Sequence, residues 1–143
     1  MSKTLSILLV EDNPEDVELI RARLRQDKLD LHVFTVTTVR QAQEFFRHEH
    51  PFQLSPRPDL VLLDYLLPNG TGGEIIAWLK SDTTLARIPI VVLSGSPEPG
   101  LEVEAMAKGA DLVLAKPLLL EHIIKIVQLV PEFWFSIEVN GVR

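Results

Sequence analysis

The stretch Pro58–Gly70, PDLVLLDYLLPNG, sets a continuous apolar run, Leu60 to Leu63, directly before a carboxylate, Asp64. An apolar run without polar alternation suits a strand covered on both faces. A bare carboxylate at the end of such a strand is costly unless it is paired, bound to a cation or open to solvent. The pattern recurs on either side. SILLV (Ser6–Val10) runs into Glu11 and Asp12, IPIVVLSG carries Ser94, and DLVLAKP ends on Lys116 and Pro117.

Helical patterns separate these runs. Asn13 suits an N-cap and Pro14 a first turn, ahead of Val17, Ile20 and Leu24 at helical spacing, through about Lys28. LHVFTVT alternates and reads as a less buried strand. Thr38 caps a helix carrying Val39, Ala42, Phe45 and Phe46, and EHPFQLSPRP is a proline-rich loop before the Asp64 strand. LPNGTGG leads into a helix with Ile75, Ile76 and Leu79. PGLEVEAMAKGA is a helix stopped at Gly109, and LLLEHIIKIVQLV is the last helix. Five alternations of strand and helix predict an α/β fold with a mainly parallel, doubly wound sheet.

Composition narrows the setting. The chain has 143 residues, 46% of them hydrophobic and 24% charged, which suits one globular domain with a real core. It has no cysteine, so disulfides and thiolate metal sites are excluded and a cytoplasmic location is expected. The sequence shows no membrane-length apolar run and no signal peptide. A net charge of −6 argues against nonspecific nucleic-acid binding.

In a doubly wound sheet the polar residues at strand carboxyl ends gather along one edge, where ligands bind at the reversal of strand order. If the first and third strands are neighbours, Glu11, Asp12 and Asp64 share one crevice. Two carboxylates about 5 Å apart repel by about 3 kcal/mol at an effective dielectric of about 20. The cluster therefore needs a cation or shifted protonation. All-oxygen ligation suits Mg²⁺. Lys116 adds a point charge for a phosphate and Ser94 a hydroxyl donor, so Asp64 is a candidate nucleophile for phosphoryl chemistry. Taken singly, each residue has a plainer reading: helix-capping acids, a turn aspartate, a solvated Lys-Pro turn. Their occurrence at four strand ends favours the joint reading.

ILLVEDNPEDVELI, PDLVLLDYLLP, IPIVVLSG and GADLVLAKP together resemble the receiver domain of two-component response regulators, over about residues 5–130. The resemblance implies a flavodoxin-like strand order 2-1-3-4-5 with five helices. It implies that Asp64 accepts a phosphoryl group from the phosphohistidine of a sensor histidine kinase. Asp12 and Asp64 would bind Mg²⁺ directly, Glu11 largely through water, and the Leu66 carbonyl would complete the protein ligands. Lys116 would contact the phosphoryl oxygens, Ser94 would swing in to hydrogen-bond them, and the Lys116–Pro117 peptide would be cis. Such a protein is a phosphoacceptor rather than an enzyme, apart from its own phosphotransfer and slow self-dephosphorylation.

LVPEFWFSIEV resembles the aromatic extension of small response regulators that partner bacteriophytochromes and cyanobacterial phytochromes. The expected division is a receiver domain over 1–130 and an aromatic extension over 131–143. Phe133, Trp134 and Phe135 are candidate homodimer contacts, with output through protein contact. The sequence departs from the family at Val113, where an aromatic residue is common, and at Leu66 and Thr71. Leu66 also argues against an aspartyl-phosphate phosphatase of haloacid-dehalogenase type, which needs a second acid there. EDNPED argues against a flavodoxin-like electron carrier, because it would repel the flavin phosphate. A phosphorylation-independent docking module is disfavoured by the intact acid set. Arg21, Arg23 and Arg25 read as a solvated basic face, on a helix that in receivers lies near the kinase. His48 and His50 flank Glu49 in a single His-x-His at a helix end that reads as solvated, and His32 and His122 show no ligand spacing.

Overall fold

The computed structural model describes residues 4–25, 29–67, 70–95 and 98–131. In chain order the first half comprises β1 (Leu5–Val10), α1 (Pro14–Leu24), β2 (Leu31–Val36), α2 (Val39–Phe46) and β3 (Leu60–Asp64). The short strands β4 (Leu66–Leu67) and β5 (Gly70–Thr71) precede α3 (Gly72–Ser81), β6 (Ile90–Ser94), α4 (Pro99–Lys108), β7 (Leu112–Ala115) and α5 (Leu120–Val127). Five strands form one parallel sheet in the order β2-β1-β3-β6-β7. This is the expected order once the antiparallel β4–β5 pair is set aside.

Side-chain alternation sorts the sheet into two cores. Leu8, Val10, Val61, Leu63, Ile90 and Val92 pack with Ala42, Phe45, Ile75, Ile76, Leu79 and Ala105 of α2, α3 and α4. On the opposite face Ile7, Leu9, Leu60, Leu62, Val91 and Leu93 pack with Ile20 and Leu24 of α1 and Ile123, Ile126 and Val127 of α5. Each fully buried aliphatic side chain contributes about 1.5–3 kcal/mol. The Leu60–Leu63 run is therefore apolar throughout because both of its faces are covered. β2 lies at the sheet edge and is only partly buried along most of its length, as its alternation predicts.

The helix starts follow the capping chemistry. The Asn13 side chain accepts from the amides of Glu15 and Asp16 with Pro14 in the first turn, and Thr38 accepts from the Gln41 amide. Gly109 ends α4 at φ +124°, in the left-handed region that favours glycine. Two helices are shorter than the periodicity predicts. α1 stops at Leu24, where Arg25 turns to extended backbone, and residues 26–28 lie outside the described set. α5 begins after Leu119, whose extended backbone ends on an amide that donates to His122 Nδ1 at 3.0 Å. His122 is thus a helix cap. Arg21 lies on the exposed face as expected, and its guanidinium also donates to the Val33 carbonyl at 2.7 Å and Thr35 Oγ1 at 3.1 Å. It occupies a backbone acceptor of the edge strand, which would otherwise offer a pairing site.

Candidate functional site

The strand order reverses at β1, with β2 on one side and β3 on the other. The carboxyl ends of β1 and β3 therefore carry Glu11, Asp12 and Asp64 into one crevice. Carboxylate oxygens from all three lie within 4.8 Å of one another. Glu11 is held most rigidly: its amide continues the β1–β2 ladder to the Val36 carbonyl at 3.0 Å, and its side chain is 1% exposed. Asp12 is exposed and Asp64 half-buried. The Leu66 amide donates to Asp64 Oδ1 at 3.2 Å, so the turn after β3 fixes one oxygen of the carboxylate.

Lys116 enters from the far end of the chain, just past β7. Its amide donates to the Ser94 carbonyl at 2.8 Å, extending the β6–β7 ladder by one bond. Its Nζ lies 2.6 Å from Glu11 Oε2, 2.8 Å from Asp16 Oδ2 and 3.5 Å from Asp64 Oδ2. Burial disfavours the ammonium charge. Hydrogen bonds to Asp16 and Glu11, with the Asp64 charge behind them, outweigh that and hold it above the ordinary lysine range. Glu11 shows the other side of the balance. Burial pushes its carboxyl above the usual range against the Lys116 and Asn13 hydrogen bonds, and Asp64 adds to the push. One cation serves more acids than it can neutralise. A further cation is what the donor set lacks, and carboxylate oxygens at this spacing fit a hard ion such as Mg²⁺.

Ser94 is buried at the end of β6, beside Ala115 in the register. Val113 is partly buried, packs against the core of α2, α3 and α4, and pairs with Val92. The Lys116–Pro117 peptide is cis, as expected. Leu66 lies in β4 opposite Thr71 and is exposed. Phe133, Trp134 and Phe135 lie outside the described residues.

Three features escape a reading of the sequence. Asp16 joins Lys116 across 100 residues; its trace in the sequence is the second acid pair of EDNPED. Tyr65, next to Asp64, is buried, and its hydroxyl has no hydrogen-bond partner among the described residues. Burial, followed by the neighbouring Glu104 carboxylate, raises its phenol above the ordinary range. Gly72 and Gly73 admit close neighbours: a Cβ on Gly72 would meet Tyr65 Cα at 2.9 Å and the Asp64 carbonyl at 3.1 Å. On Gly73 it would meet Lys108 Nζ at 2.6 Å and the Tyr65 hydroxyl at 2.9 Å.

A doubly wound sheet with an acidic crevice at its switch point, faced by a lysine and a serine from adjoining strand ends, is the architecture of a receiver. The chain belongs to the response regulator receiver domain family, whose model matches residues 7–128. It is 33% identical over 130 residues to response regulator Rcp1 of Synechocystis sp. (strain ATCC 27184 / PCC 6803 / Kazusa), covering 91% of this chain and 88% of the relative. The structure resembles that of the phosphorylated cyanobacterial phytochrome response regulator RcpA, with TM-score 0.76, 36% identity and coverage of 94% and 96% of the two chains. It also resembles the bacteriophytochrome response regulator AtBRR, with TM-score 0.80, 30% identity and coverage of 92% and 96%. The Mn²⁺-bound form of Rcp1 matches with TM-score 0.73, 32% identity and coverage of 91% and 94%. No described helix is long and apolar enough to cross a membrane.

Proposed function

We propose that this protein is a cytoplasmic response regulator that accepts a phosphoryl group on Asp64 from a phytochrome-type histidine kinase and signals by protein contact. The observation that carries the reading is the meeting of Glu11, Asp12 and Asp64 within 4.8 Å, with Lys116 Nζ 3.5 Å from Asp64. The link to phytochromes is supported by the likeness to RcpA and AtBRR.

In the transfer, an Asp64 carboxylate oxygen forms a bond to phosphorus as the P–N bond of the donor phosphohistidine breaks, and the leaving imidazole carries the proton. Asp12 and Asp64, with Glu11 and the Leu66 carbonyl, would hold Mg²⁺, which when bound would supply the positive charge that lets an anion approach this acidic crevice. Lys116 receives a phosphoryl oxygen by charge-assisted hydrogen bonding. Ser94 binds another and so biases the loop after β6 between two positions. The Mn²⁺-bound Rcp1 structure supports the metal assignment.

The test uses acetyl phosphate with and without Mg²⁺, read by intact mass and by the modified peptide. Wild-type protein gains one phosphoryl group on Asp64 only with the metal, and Asp64→Asn gains none. Equal uptake by the variant refutes the assignment. Uptake by neither leaves the chain as a docking module.

The output surface we propose is a two-fold dimer built on α5 and the aromatic extension over 131–143. Leu119, Leu120 and Ile124 are exposed large apolar residues at the start and on the outer side of α5, the kind of surface that association covers. Light scattering should give a dimer for the full chain and a monomer for a chain stopped after Val130. A monomeric full chain, phosphorylated or not, refutes it.

A further inference from the structure

Asp16 is the acid without an assigned task. It lies in the first turn of α1, outside the group of carboxylates close enough to share a metal. Its carboxylate hydrogen-bonds the Lys116 ammonium at 2.8 Å. By charge alone it is adverse, because it adds a further negative group beside a site that must receive an anion.

Geometry supplies the reason for it. An ammonium has three N–H donors and turns freely unless they are held. Glu11 at 2.6 Å and Asp16 at 2.8 Å take two of them, one from the loop just past β1 and one from the first turn of α1. Asp64 Oδ2, at 3.5 Å, stands beyond good hydrogen-bond range. The two short bonds stop the rotor and leave the third N–H for the Asp64 side, where an incoming phosphoryl oxygen needs a donor. Glu11 alone would leave the ammonium free to swing about a single bond.

We propose that Asp16 is a positioning residue that holds Lys116 ready for phosphoryl transfer to Asp64. The inference rests on the reading of Asp64 as phosphoacceptor. It predicts a sign opposite to that of simple electrostatics: removing a negative charge near an approaching phosphate should speed the reaction, whereas loss of positioning slows it.

The experiment follows phosphorylation by acetyl phosphate at saturating Mg²⁺ for Asp16→Asn and Asp16→Glu, each in the wild-type and Lys116→Met backgrounds. Asp16→Asn should slow uptake about tenfold, a modest loss for a misplaced group. Asp16→Glu should recover most of the rate. In the Lys116→Met background Asp16→Asn should change it less than about twofold, as coupling through one partner requires. Nitrogen-15 NMR of the lysine ammonium groups gives a readout independent of the reaction. A protected Lys116 signal in the wild type should be lost in Asp16→Asn while the amide spectrum stays folded. Uptake by Asp16→Asn as fast as wild type, equal slowing in the Lys116→Met background, or an equally protected ammonium each overturns the role of Asp16. A wild-type chain that takes up no phosphoryl group overturns the Asp64 assignment and this inference together.

Discussion

Replacing Lys116 by methionine keeps the unbranched stem, one atom shorter, and removes the charge that the acids of the crevice share. Glu11, at 1% exposure, is the partner least able to turn to water. Breaking a buried ion pair by removing one partner costs about 3–5 kcal/mol. The lower end applies because Asp16 and Asp64 keep side-chain exposures of 32% and 13%. A loss of about 3 kcal/mol in a domain of this size lowers Tm by roughly 10 °C.

The same reasoning fixes the pH dependence. The folded Glu11 carboxyl holds its proton to higher pH than the unfolded one, so stability falls as pH rises through the window between the two values and returns as pH falls. Without Lys116 that window widens upward. The deficit of Lys116→Met should be full near about pH 8 and shrink near about pH 5. Mg²⁺ should also narrow it, because the carboxylates bind the metal more tightly once the competing ammonium is gone, and stabilisation by a ligand grows as its Kd falls. The metal should raise the variant's Tm more than the wild type's. Thermal unfolding followed by circular dichroism, with chelator or with Mg²⁺ at both pH values, measures all of this. A deficit that ignores both pH and metal would show that Lys116 acts by packing, and the charge argument would fall.

Two further outcomes follow from the surroundings of Asp64. Gly72→Ala sets a Cβ against backbone at 2.9 and 3.1 Å, so it should destabilise by about 1–3 kcal/mol and disturb the Asp64 turn. Gly73→Ala should cost less, because its closest neighbour is the movable end of Lys108; chemical denaturation of both variants checks the order. Tyr65 is the one tyrosine of the chain, so ultraviolet titration reads it alone. Its midpoint should lie above the ordinary phenol value, and because the folded state keeps the proton longer, stability should fall as pH rises past that value. An ordinary midpoint in the folded protein refutes the burial argument.

Much of this was legible in the residue order because it depends on chemistry between near neighbours. Continuous apolar runs mark strands covered on both faces, and β3 is completely buried from Leu60 to Leu63. Asn13, Thr38 and Gly109 act within a few residues of where they stand, and each caps the helix end that its chemistry predicts. The acids ending β1 and β3 could be listed from the sequence, and their convergence needed only the common rule of ligand sites in doubly wound sheets. Helix lengths were less legible, because α1 stops where Arg25 turns to extended backbone and α5 starts only after the extended Leu119, whatever the apolar spacing.

The remainder was decided by register and by the order of the strands. Arg21 looks like one of three alternate arginines on a helix, yet β2 brings the Val33 carbonyl within 2.7 Å of it. Asp16 looks like an ordinary acid in a first turn, and only the placement of β7 across the sheet sets Lys116 beside it. Gly72 and Gly73 look like loop residues until Tyr65 and Lys108 are packed over them. Hydrogen bonding and capping act over a few residues and leave a local pattern. A contact between residues 100 positions apart leaves at most the residue types and not the pairing, because it exists only after burial of the two cores has fixed which strand lies beside which.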